Sequence, residues 1–240
     1  VHFIISTIIY RQKLADRNLF FLVSGLVLVF ITIAIPVQLD GNWVSLLWAG
    51  EAVLLFWIGR TKNVPVYEKL SYPLMILAFF SIIHDWMTVY DSYYPKNPKT
   101  RITPLLNINF LTSILFIAAF GFINILNRNK NYLSALASRK GISKIISFSI
   151  PVILLCTIYY AFRMEIANYW NQLYIDSVLY GQKLSITWNY DLSKFKTIWI
   201  INYSLLFVSL LAFANFKKLK NQLLGVINLG LMTLILVVFE

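Results

Sequence analysis

The stretch GNWVSLLWAGEAVLLFWIGR at 41–60 most constrains what this chain can become, because it is apolar enough to leave water yet carries one carboxylate, Glu51, in its middle. A helix rising about 1.5 Å per residue covers roughly 25 Å over 43–59, a little under a ~30 Å hydrocarbon core but within the reach of local bilayer thinning. Glu51 then falls near the midplane. A charged carboxylate there costs at least ~2.5 to 3.5 kcal/mol, so the fold must protonate it, pair it with another helix or open it to a water-filled cavity. Arg60 cannot serve from within the helix, since nine positions at about 100° per residue carry it to the opposite face.

The rest of the chain reads the same way. Hydrophobic residues make up 59% and charged residues 13%, where a soluble domain carries about 25% charged; the mean hydropathy is +0.69. The fold class expected is all-α, a polytopic helical membrane protein forming a single module over 1–240. Seven complete spans are expected at about 19–38, 43–59, 70–90, 104–126, 144–163, 196–215 and 222–239, after a truncated helix that contains His2. Both ends read as cut, so the chain is expected to be part of a longer protein. The polar stretch TKNVPVYEKL after Arg60 reads as a loop. Residues 164–195 read as a small external cap. Its first part extends the fifth helix, and strict alternation over 183–190, with Leu184, Ile186, Trp188 and Tyr190 on one face, predicts a short strand before caps at Asp191 or Ser193.

The formal charge of +11 reports topology rather than a polyanionic ligand, because the basic residues sit in short loops between apolar runs. Loops 11–18, 60–69, 127–144 and 216–222 hold fourteen of the 21 Lys and Arg, against seven in the alternate loops. The first group is therefore expected on the cytoplasmic side, which places Asp40, the 91–103 loop and the cap outside. Nucleic acid is not an expected partner; membrane lipid and the missing remainder of the chain are. Cys156, the one cysteine, lies in an apolar run and reads as a small buried hydrophobe.

Pro36, then Leu39-Asp40-Gly41-Asn42-Trp43, Leu47-Trp48-Ala49-Gly50-Glu51-Ala52 and Leu55-Phe56-Trp57-Ile58-Gly59-Arg60 resemble the signature of a bacterial family of large multi-spanning proteins, domain of unknown function 2339. The resemblance covers 35–60. It implies repeated helices and a bacterial plasma-membrane setting, and brings no catalytic residues with it.

Glu51 is the first candidate binding residue, an ionisable group inside a span, with Asn202 and Asn228 as possible partners on later helices. The bland alternative is a protonated interhelical bond. His84, Asp85 and Asp91, at the outer end of the third span, are candidates for acid/base work, set against the plainer reading of interfacial polar residues. Adjacent positions on a helix point about 100° apart, so at most one of His84 and Asp85 faces any one site. No phosphate-cradling loop, nucleophile elbow or metal-binding spacing is present, and neither a cofactor nor a metal is expected. Two functions follow as expectations. The first is a non-enzymatic module, transport-like or a scaffold, and the alternative is a membrane-embedded transferase acting on a lipid-linked envelope substrate. A cavity reaching Glu51 favours transport, a closed helical core favours a scaffold, and a groove where His84 and Asp91 converge favours the enzyme.

Overall fold

A computed structural model describes residues 17–90, 92–95, 97–134, 140–177, 179–180, 186–220 and 222–238. The chain is all-helical in character. The helices are α1 (Arg17–Gln38), α2 (Asn42–Thr61), α3 (Pro65–Tyr90), α4 (Ile108–Arg128), α5 (Lys140–Asp176), α6 (Tyr190–Ala214) and α7 (Gln222–Val238). Among the described residues, five helical stretches are long and apolar enough to cross a membrane: α2, α3, α4, Lys144–Asp176 within α5, and Tyr190–Leu219, which is α6 with its π-helical continuation Asn215–Leu219. Leu224–Thr233 of α7 is apolar but shorter. These stretches make the chain a membrane protein.

Several boundaries differ from those the sequence suggests. The segment after Arg60 is not a loop: only three residues separate α2 from α3, and Pro65 opens α3, leaving Pro73 in the helix interior. Proline at the first helical position forfeits no hydrogen bond, so a polar stretch containing one need not break a helix. α4 starts at Ile108 rather than Pro104, where the Asn107 side chain caps it by accepting from the Phe110 N–H at 2.8 Å. α6 starts at Tyr190, capped by Asn189, which accepts from Asp191 N–H at 3.1 Å, and not by Asp191 or Ser193. α5 runs unbroken for 37 residues, about 55 Å at 1.5 Å per residue, so the more polar residues after 163 continue the fifth helix. Leu179–Tyr180 (β1) and Ile186–Thr187 (β2) form a two-residue antiparallel ladder. His2, Asp91 and the alternating positions 183–185 lie outside the described residues. Cys156 is half-buried rather than enclosed.

The chain divides into two compact units, one of residues 1–85 and 112–154, the other of 86–111 and 155–240. In the first, the buried positions Ala49, Ala52 and Phe56 on α2 and Met75, Ala78 and Ile82 on α3 recur at helical spacing. The alanines let neighbouring backbones approach closely. Phe116 and Phe120 of α4 stack with ring centroids 4.5 Å apart. At Gly59 the approach is closest: a Cβ would stand 2.5 Å from the Glu68 backbone nitrogen, a place that only glycine can fill. Gly41, with φ of 58°, makes the turn into α2.

In the second unit an aromatic seam joins α5 to α6. Tyr159 stacks on Tyr203 at 5.6 Å, and its hydroxyl lies 2.8 Å from Ser204 Oγ. Further out, Trp170 stacks on Phe195 at 5.5 Å and Tyr174 on Trp188 at 5.1 Å.

Candidate functional site

Three polar constellations lie in the first unit. At the α2–α3 turn, Arg60 Nε stands 3.0 Å from Glu68 Oε1, with both side chains almost wholly buried. The other guanidinium nitrogens donate to the Tyr132 carbonyl at 2.9 Å and to Asn127 Oδ1 at 2.6 Å. Tyr72 at 2.8 Å and Ser134 at 2.5 Å donate to the same Glu68 oxygen. Both terminal guanidinium nitrogens donate hydrogen bonds while Nε keeps only its ion-pair approach to Glu68, and those two bonds help make a buried pair tolerable. At the other end of α2, Ser45 donates to Asp85 Oδ2 at 2.6 Å and lies 2.7 Å from Ser81 Oγ. These two clamps, fifteen residues apart on α2, lay α3 antiparallel to it.

Between the clamps lies Glu51. Its carboxylate faces α1, where the Thr32 hydroxyl stands 2.9 Å from Oε1 and 3.1 Å from Oε2. Trp48, one turn earlier on α2, donates from Nε1 to the Thr32 carbonyl at 3.1 Å. Glu51 is thus engaged across a helix pair, as a carboxylate at that depth requires, through a threonine that periodicity does not single out. The two candidate asparagines belong to the second unit. Asn202 is exposed on α6, and Asn228 is buried on α7, where neither its Oδ1 nor its Nδ2 meets a partner among the described residues. His84 and Asp85 part as helical geometry demands, His84 exposed and Asp85 buried on Ser45. Among the described residues no group of three His, Cys, Asp or Glu could hold a metal ion.

The second unit contains a site that sequence reasoning passed over. Glu165, only 3% exposed on the outer half of α5, accepts from Tyr90 Oη at 2.5 Å and Asn107 Nδ2 at 2.8 Å on Oε1, and from Leu105 N–H at 2.8 Å on Oε2. About two turns further along, Gln172 brackets Ile102, accepting from its N–H at 3.2 Å and donating to its carbonyl at 3.0 Å. Asp176 closes the row, accepting from Tyr93 Oη and pairing with Arg101 Nη1 at 3.3 Å. Partial burial and the bond to the Asp176 carboxylate raise the Tyr93 phenol above its ordinary range, against the lowering pull of Arg101. Positions 165, 172 and 176 share one face of α5, so residues 93–107 lie strapped along it.

Beside the strap opens a groove of about 440 Å³ whose walls are Pro104, Leu105, Phe162, Glu165, Ile166, Tyr169, Trp170 and Trp199. Leu105 holds a left-handed backbone, φ 62°, which its N–H bond to Glu165 maintains. The row 165, 172, 176 was readable in the sequence as helical spacing; its partners, 58 to 83 residues away, were not.

No family model, curated protein or solved structure matches this chain.

Proposed function

We propose that this chain is a non-enzymatic module of a bacterial plasma-membrane protein that holds the acyl part of a membrane lipid or lipid-linked solute in the Trp170–Trp199 groove. The groove carries this reading. Its volume is of ligand size, and its walls are apolar and aromatic apart from one carboxylate already committed to three donors. In this reading Phe162 and Trp199 belong to the spans and residues 165–170 to the start of the cap, so an acyl chain enters the apolar walls from the lipid at the membrane boundary. The named polar groups of the first unit are likewise spent on clamps between helices. That favours a scaffold or carrier over a reaction centre, and the transferase reading gains no acid/base pair from His84 and Asp85.

In this reading α1 and α7 join the other five as spans, giving seven, with 164–195 as an external cap and the basic loops inside. The likeness of 35–60 to the family of unknown function fits this placement. Photoactivatable lipid in vesicles tests the groove. Crosslinks are expected on peptides containing Phe162–Trp170 and Trp199 and should fall several-fold in Trp170→Ala; crosslinks spread evenly over the exposed faces of α4, such as Leu111, Leu115 and Ile125, would show a protein that merely dissolves in lipid.

A further inference from the structure

The α1–α2 hairpin has too few hydrogens for its acceptors. Thr32 Oγ1 stands 2.9 Å from the Leu28 carbonyl oxygen, 2.9 Å from Glu51 Oε1 and 3.1 Å from Glu51 Oε2. A hydroxyl carries one hydrogen, and neither a carbonyl nor an ionised carboxylate carries any. With Glu51 ionised, one hydrogen serves three acceptor oxygens around a single donor. A proton on Glu51 resolves the count: the carboxylic acid donates to Thr32 Oγ1, and the threonine hydroxyl donates onward to the Leu28 carbonyl. Trp48 meanwhile occupies the Thr32 carbonyl, fixing the backbone while Glu51 engages the side chain.

Among the described residues no Lys, Arg or His forms an ion pair with Glu51. The only ionisable side chain of α1 is Arg17, fifteen residues before Thr32 and so about 22 Å along the helix. On α2 the one cation is Arg60, which is held by Glu68, Asn127 and Tyr132. On α3, Glu68 and Asp85 are occupied by Arg60 and Ser45 at the two ends of the hairpin it makes with α2, and the basic residues Lys69 and His84 are their immediate neighbours in sequence at those same ends. Asp40, in the turn, lies eleven residues from Glu51.

We propose that Glu51 and Thr32 form a proton-binding site at mid-depth of the α1–α2 hairpin, with the proton resident on Glu51 and hydrogen-bonded through the Thr32 hydroxyl to the Leu28 carbonyl. The ligand is the proton itself, and the site is independent of the groove in the other unit. Oxygen-only surroundings also suit a small monovalent cation, so the test separates the two.

Infrared spectra of the protein in lipid vesicles at about pH 7, where an ordinary glutamate is ionised, should contain a carboxylic-acid carbonyl band that Glu51→Gln removes. Thr32→Val keeps the shape and deletes the acceptor, so it should move that band to higher frequency. The glutamine variant is expected to fold, because its amide N–H donates to Thr32 in place of the acid. Spectra of wild type and Glu51→Gln that superimpose in this region would show an ionised carboxylate and overturn the proposal. Should Glu51→Gln fail to fold, Thr32→Val decides alone: a shifted band supports the site, and an unmoved spectrum refutes it. Loss of the band when sodium replaces choline would make it a cation site and overturn the proton assignment.

Discussion

The two units use their carboxylate and amide side chains in opposite ways. In the first, Glu68 and Asp85 join one span to the next, each bonded to a side chain of α2. In the second, Glu165, Gln172 and Asp176 join a span to a connecting strap, and two of the three bind backbone groups of it. Span-to-span bonds replace contacts that lipid cannot supply, because every polar group at depth needs a partner from the protein. Strap bonds instead give an irregular segment the hydrogen bonds that it lacks internally. The first kind sets which helices are neighbours; the second sets the shape of a groove wall.

If this contrast is sound, damage in the first unit should be global and damage in the second local. The largest effect is expected from Glu68→Ala, which strands the Arg60 charge among buried groups; breaking a buried pair in this way costs about 3 to 5 kcal/mol. The folded fraction surviving heating in detergent should fall sharply, and rescue by Arg60→Met in the same chain would confirm that the stranded charge is the cause. Next comes Gly59→Ala, whose methyl must displace the Glu68 backbone from a 2.5 Å approach; overpacking of this kind costs about 1 to 3 kcal/mol, read in the same assay. Glu165→Gln should leave the melting of the first unit unchanged while hydrogen exchange of Ile102–Leu105 speeds up. The amide keeps an acceptor for Leu105 N–H but gives up the charge that strengthens three bonds. Equal loss across both units would end the distinction.

The spans were legible because their apolar runs outlast any soluble helix, and Glu51 was legible because a lone carboxylate interrupts one of them. Glu68 was missed for the same reason in reverse. It sits in TKNVPVYEKL, a stretch polar enough to resemble a loop, and its burial depends on Arg60 and Ser134 arriving from other segments. Spacing along a single helix predicts which positions share a face. It says nothing of what the face meets, so Thr32, which periodicity does not single out, appears opposite Glu51. The strap was hidden for a further reason: Asn107 and Leu105 look like the start of a helix after Pro104, and only the Glu165 carboxylate, sixty residues on from Leu105, keeps that turn open.

The smallest effect expected lies at the outer end of the strap, where Tyr93 meets Asp176. The phenol titrates above its ordinary value of 10.0 because of partial burial and then the Asp176 bond and charge, with Arg101 acting in the opposite sense. A proton held more tightly in the folded state stabilises that state at every pH below the unfolded value, and the contribution disappears as pH rises through the raised one. Protection of residues 92–95 and 97–103 against hydrogen exchange, expressed relative to the intrinsic rate at each pH, should therefore be level through neutral pH and decline above about pH 10. Tyr93→Phe removes both the bond and the titration, so its protection should be lower throughout and should no longer decline at alkaline pH. A variant that still declined like wild type would place the alkaline sensitivity in another group and would separate this end of the strap from the Glu165 end.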